Sequence, residues 1–139
     1  VGGIDCNPVS TELTYGLERI AMYIQGVENV FDLQFSPSVR YSELYHQSER
    51  DYSHYNFEHS DADLLVRHFS EAEGEAKTLT QAGRLMPAYD QALQASHLFN
   101  LLDARGVISV SERQGYILRV RRLVAAIAER YVAGLNSDG

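Results

Sequence analysis

Between residues 60 and 83, Leu65, Phe69, Ala72, Ala76 and Leu79 recur at spacings of four, three, four and three, with Arg67, Glu71, Glu75 and Lys77 between them. That repeat draws one stripe along an α-helix and excludes a strand, whose faces alternate every second residue. A helix with such a stripe must bury it against another element, so the chain is committed to helix-on-helix packing from its middle onward.

The neighbouring punctuation extends the helical reading. Ser60 is placed as the N-cap of this helix, with Asp61 and Asp63 in a first turn where negative charge suits the helix dipole, and the helix ends near Gly83. Pro87 opens the next helix, which runs to about Leu102. After Gly106, Ser109 and Glu112 form a capping box for a last helix of about 25 residues. Arg113, Ile117, Val120, Val124, Ile127 and Tyr131 mark its inner face.

Upstream the pattern is mixed. Residues 1 to 15 hold glycines, a proline and short apolar pieces at Ile4 and at Leu13 to Tyr15, which predict strand or extended structure. Leu17, Ile20, Ala21 and Ile24 then take helical spacing, with Gly26 as the stop. Pro37 excludes a continuous helix through the following connector, and a second helix is expected at about Ser42 to Ser53. The expected fold is mainly α: a short β remnant, then about five helices in a bundle-like domain. Only the tail LNSDG is expected to fray.

Composition narrows the function classes. The 139 residues are 45% apolar, enough for one domain with a real core. The formal charge is −7, with 6 basic and 15 acidic groups in residues 1 to 102 against 6 and 4 thereafter. No strongly basic field points to autonomous nucleic-acid binding. Cys6 is the single cysteine, so no internal disulfide forms and a reducing cytoplasm is the expected location. No apolar run reaches membrane-spanning length and no signal peptide is visible. The opening VGGIDC, without a Met, raises the expectation of an excerpt from a longer protein.

The stretch TYGLERIAMYIQG, residues 14 to 26, carries the most chemistry. At about 100° per residue, Arg19 points away from Leu17, Ile20, Ala21 and Ile24 and falls with Met22 and Tyr23, which predicts a partly buried guanidinium in need of an anion. Arg19 also lies in the first helical turn, where free N–H groups favour an anion, so a phosphate is the economical partner. Gly16 would let a flat ligand approach the backbone. On the four residues GLER alone, a surface or structural arginine is the preferred reading.

The longer run TELTYGLERIAMYIQGVENVFDL resembles motif 3 of class II aminoacyl-tRNA synthetases, and specifically that of the α subunit of bacterial tetrameric glycyl-tRNA synthetases. The resemblance continues through YNFE at 55 to 58 and FNLLDARGVISVSERQGYILRVR at 99 to 121. It implies that residues 1–34 end a catalytic domain, with the β remnant belonging to its sheet, and that residues 35–139 form a C-terminal helical domain. It implies ATP contacts from Gly16, Glu18 and Arg19, with Arg19 at the γ-phosphate and against the adenine. Glu18 has two readings, a direct ligand or a first-turn carboxylate serving the helix dipole.

Related alanyl-tRNA synthetases read DTGMGLER where this chain reads ELTYGLER, which puts Glu12 where an Asp holds the substrate's amino group. The resemblance thus implies glycine binding by Glu12, with Thr14 or Tyr15 limiting the pocket; the alternative is an exposed strand-end Glu. Asp5 near Mg²⁺ is weighed against a solvated loop aspartate, which is preferred. The implied reaction is glycine activation by ATP and Mg²⁺, then transfer to tRNA(Gly), bound mainly through a β subunit in an α2β2 assembly containing an α homodimer. Motifs 1 and 2 do not occur in these residues, so the chain alone is expected to be inactive. The alternative class is a non-enzymatic helical module for subunit association.

Other groupings carry less. His54, Glu58, His59, Asp61 and Asp63 lie close together, but their spacing matches neither H-E-x-x-H nor an EF-hand, so no metal is expected. His46, His68 and His97 are isolated, and no serine or cysteine nucleophile motif occurs. Tyr41, Tyr45, Tyr52 and Tyr55 are read as packing between helices rather than stacking on bases. Arg119, Arg122 and Arg130 are assigned to the outer face of the last helix, solvated or docking an acidic partner.

Overall fold

A computed structural model describes residues 3–137. Its elements are α1 (Leu17–Gln25), a 3₁₀ turn (Val30–Asp32), β1 (Gln34–Ser36), β2 (Val39–Arg40), α2 (Tyr41–His54), a π-helical turn (Tyr55–His59), α3 (Ala62–Gln81), α4 (Leu85–Ala104) and α5 (Val110–Ser137). Mainly helical, with five helices among the described residues, the chain has the expected fold class. The expected strand before α1 does not form: the described residues ahead of Gly16 hold none, and the small sheet lies after α1 instead. It is an antiparallel hairpin pairing Gln34 with Arg40 and Ser36 with Val39 around Pro37 and Ser38, where a proline in the turn removes no ladder donor. Residues 3 to 15 are nearly all exposed and have no neighbouring strand to pair with, so they form no ladder.

Local signals set the helix ends. Gly26 closes α1 in the left-handed conformation, φ 66° and ψ 33°, and the Val27 N–H reaches Met22 O at 3.1 Å. The capping box at α5 forms as read: Ser109 Oγ accepts from the Glu112 N–H at 3.2 Å and the Ser109 N–H donates to Glu112 Oε2 at 2.8 Å. The Ser109 hydroxyl, donating to Glu112 Oε2 at 2.6 Å, and then the Ser109 N–H hold the Glu112 carboxyl below its ordinary value. Before α3 the cap moves by one residue. Asp61, not Ser60, accepts the Leu64 N–H at 3.0 Å, while Ser60 is buried at 2% exposure and closes the π-turn through its own N–H to Tyr55 O at 2.9 Å. Pro87 is the third helical residue of α4, still within the turn whose N–H groups have no intrahelical partner.

The main core cluster lies among α3, α4 and α5. Leu65, Phe69, Ala72 and Ala76 of α3 meet Ala88, Ala92, Ala95, Leu98, Phe99, Leu101 and Leu102 of α4, and Leu123 and Ile127 of α5 complete the cluster. Alanines on both α3 and α4 allow the two backbones to approach closely, while Phe69, fully buried, fills the space toward α5. The stripe of α5 is shifted from the expected one: Leu123 and Ile127 are buried, and Ile117, Val120 and Val124 flank them half-buried.

That shift turns Arg119 inward, against the expected outer position. Its Nε and Nη2 donate to the two Glu73 carboxylate oxygens at 3.0 and 2.8 Å, and its guanidinium lies 4.4 Å from the Phe69 ring centroid and 5.1 Å from that of Tyr116. The guanidinium thus rests on the aromatic edge of the core while its fork pairs across to α3. The Arg119 bonds hold Glu73 below its ordinary 4.5 against the opposing effect of burial, with Lys77 assisting.

A carboxyl depressed on folding contributes stability above its unfolded pKa, which is lost as pH falls through the folded value. The Glu73→Gln variant is therefore expected to be less stable at pH 7 by about 1–2 kcal/mol and to lose less stability than the parent when acidified below about 4.5. Urea midpoints at pH 7 and pH 3.5 measure both effects; equal midpoint shifts at the two pH values would disprove the linkage.

Candidate functional site

Ahead of the core, α1 and α2 contribute no buried side chain, and Leu33 is the buried apolar residue between them. The face of α1 that the sequence marks as inner is open: Leu17 is 82% and Ile24 75% exposed. Two side-chain contacts hold α1 to the β-hairpin and α2. At its N-terminal end the Tyr41 hydroxyl donates to Glu18 Oε1 at 3.2 Å. At its C-terminal end the Gln25 amide takes the Gln34 N–H at 2.8 Å and donates to Gln34 O at 3.0 Å, pairing with the edge of β1 as a strand residue would. Partial desolvation and the Glu18 carboxylate both push the Tyr41 phenol up.

Gly16 stands at φ 79°, a conformation that L side chains rarely adopt, and this is the requirement for glycine there; a Cβ would meet only Arg19 Cγ at 4.0 Å. No side chain caps α1, and the first backbone bond in the helix runs from the Ile20 N–H to Gly16 O at 3.2 Å. The N–H groups of Leu17, Glu18 and Arg19 thus precede the hydrogen-bonded ladder, in the turn where the dipole favours an anion.

Arg19 belongs to this turn, but its expected partial burial is corrected. The residue is exposed and makes no ion pair among the described residues; of its two neighbours on that side, Met22 is half-buried but Tyr23, one turn on, is 89% exposed. Glu12 and Thr14 are also exposed and are joined directly, the Thr14 hydroxyl donating to Glu12 Oε1. Glu18 faces a cavity of about 390 Å³ between α1, β1 and α2, lined by Ala21, Gln25, Phe35, Tyr41 and Tyr45 among others but by neither Arg19 nor Glu12. Asp5 lines a separate groove with Met86, Tyr89, Ile127 and Tyr131, against α4 and α5.

The tyrosine strip lies between helices only in part. Tyr41 and Tyr45 pair at 4.5 Å between ring centroids and line the space between α1 and α2, whereas Tyr52 and Tyr55 are exposed. His46, read as isolated, meets the Phe31 ring edge-on at 4.8 Å. Tyr41 and Gln25 are the contacts that sequence reasoning missed around α1. Nothing local signals a pairing 23 residues away, such as that of Tyr41 with Glu18.

Compared with known families, the chain falls among the aminoacyl-tRNA synthetases. The matching model is that of the glycyl-tRNA synthetase alpha subunit, over residues 1–135, and the chain belongs to that family. No helix among the described residues is long and apolar enough to cross a membrane.

Proposed function

We propose that this chain is the C-terminal portion of a glycine–tRNA ligase α subunit, in which residues 1–34 complete the catalytic domain and residues 35–139 form a helical assembly domain. The family match across residues 1–135 carries the reading. In the parent enzyme glycine and ATP give glycyl-adenylate and pyrophosphate, and the glycyl group then passes to tRNA(Gly). ATP binds with Mg²⁺, whose charge offsets that of the phosphates.

Arg19 and the open first turn of α1 suit a phosphate group: a fork of N–H donors beside uncapped backbone N–H groups. Gly16 gives the turn its shape, and Glu18, tied to Tyr41, fixes the mouth of the helix. Glu12, oriented by Thr14, supplies a carboxylate for the glycine ammonium. The chemistry is positioning and electrostatic neutralisation, with no covalent nucleophile.

The exposed apolar face of α1 supports a further surface of the catalytic domain lying against it. The helical domain serves the α homodimer and the β subunit, through which tRNA is mainly bound, in a cytoplasmic α2β2 enzyme. Its assembly role is the part of the non-enzymatic alternative that the exposed side chains of α2 favour.

Glycine-dependent ATP–pyrophosphate exchange tests the reading. The full-length parent with its β subunit is expected to exchange with glycine and not with alanine, and the 139-residue chain alone is expected not to exchange at all. A parent without glycine-dependent exchange overturns the function, and exchange by the isolated chain overturns the dependence on motifs outside it.

A further inference from the structure

We propose that His54, Glu58 and His59 form a binding site for a first-row transition-metal dication of the zinc class, at the junction of α2 and α3. In an α-helix, residues five apart stand about 140° from each other, so His54 and His59 would face different directions. The π-turn changes this. Its i to i+5 repeat, closed by the Ser60 N–H to Tyr55 O bond of 2.9 Å, brings His59 round to the side occupied by His54 and Glu58. His54 Nδ1 lies 3.1 Å from Glu58 Oε2, His59 Nε2 lies 3.8 Å from the same oxygen, and one ligand atom from each residue falls within 4.8 Å of the others. Ligand atoms around a tetrahedral zinc with bonds near 2.0–2.1 Å stand roughly 3.3 Å apart, so modest side-chain rotation closes the set.

The backbone beneath the cluster is held from outside it. Arg105, at the end of α4, donates through Nε to Ser60 O at 3.0 Å and through Nη1 to Phe57 O at 2.9 Å. These bonds pin the peptide units on either side of Glu58 and His59, so the backbone carrying two of the three donors is already ordered by the fold. Two imidazoles and one carboxylate select zinc, nickel or copper over magnesium or calcium, which demand oxygen ligands. Three protein ligands leave a position for water or for a donor from a bound partner. Asp61 stands outside the set because its carboxylate caps α3.

Zinc itself is the probe, titrated into the full chain carrying Cys6→Ser, which removes the exposed thiol, in competition with a chromophoric chelator. One saturable zinc per chain is expected, and His54→Ala, Glu58→Gln and His59→Ala should each weaken it by about tenfold or more, as loss of a direct ligand does at least as much as loss of its supporting shell. His68→Ala should leave it unchanged. All three ligands are exposed, so folding is retained, and far-UV circular dichroism verifies this. Cobalt substitution of the unaltered triad should give visible d–d bands of a nitrogen- and oxygen-ligated ion. Absence of a saturable site, zinc affinity retained in both histidine variants, or cobalt bands of a hexa-aqua ion would overturn the proposal.

Discussion

The Phe69→Ala variant is expected to lose about 3–5 kcal/mol of stability, a large part of the roughly 5–15 kcal/mol that holds an ordinary domain. Phe69 is fully buried, its ring meets Tyr116 edge-on at 4.7 Å between centroids, and Arg119 lies over it. Truncation removes the transfer free energy of the ring and leaves a cavity that the surrounding helices cannot close, because the alanines beside it have no side-chain length to move in. It also takes away the surface on which the Arg119 guanidinium rests before pairing with Glu73, so the cost belongs at the upper end of the range. Urea denaturation followed by circular dichroism measures it. A shift below about 1 kcal/mol would mean that α5 does not seat on Phe69. Phe57→Ala, at a residue 58% exposed, should change the midpoint little.

The position of Phe69 was legible because a helical stripe is a local pattern whose period is set by the backbone. The capping box of Ser109 and Glu112 was legible for the same reason, its two partners being three residues apart. Where geometry departs from about 3.6 residues per turn, or where a side chain reaches another element, the sequence is silent. The π-turn at Tyr55–His59 moved the α3 cap from Ser60 to Asp61 and gathered His54 with His59, and neither follows from an α-helical wheel. A stripe drawn through Arg113, Ile117, Val120 and Val124 puts Arg119 on the outer face, yet Leu123 is the residue that buries, and the guanidinium lies over Phe69 and pairs with Glu73.

The candidate site divides along the same line. The turn at Gly16 and the start of α1 follow from a glycine preceding an amphipathic run, and both are where the sequence puts them. The exposure of Arg19 is not encoded by any periodicity within residues 14 to 26: a helical wheel sorts residues by direction and does not say which direction is covered, and Leu17, Ile24 and Arg19 are all exposed.

In the full-length parent, Arg19→Ala is expected to lower kcat/KM for ATP in glycine-dependent pyrophosphate exchange by about 10²–10³-fold, the usual effect of removing a preorganised donor to charge that develops in the transition state. Arg19→Lys keeps the charge but not the planar fork, and should recover only part of the loss. Glu12→Ala provides the contrast. A carboxylate that holds the glycine ammonium should raise the KM for glycine while leaving the KM for ATP nearly unchanged, whereas Arg19 variants should show the reverse. Neither change should unfold the protein, since both residues are exposed and Arg19 has no ion-pair partner among the described residues. Unchanged exchange in Arg19→Ala would make the residue an ordinary surface arginine. The first turn of α1 would then have to hold its phosphate, if any, through the backbone alone.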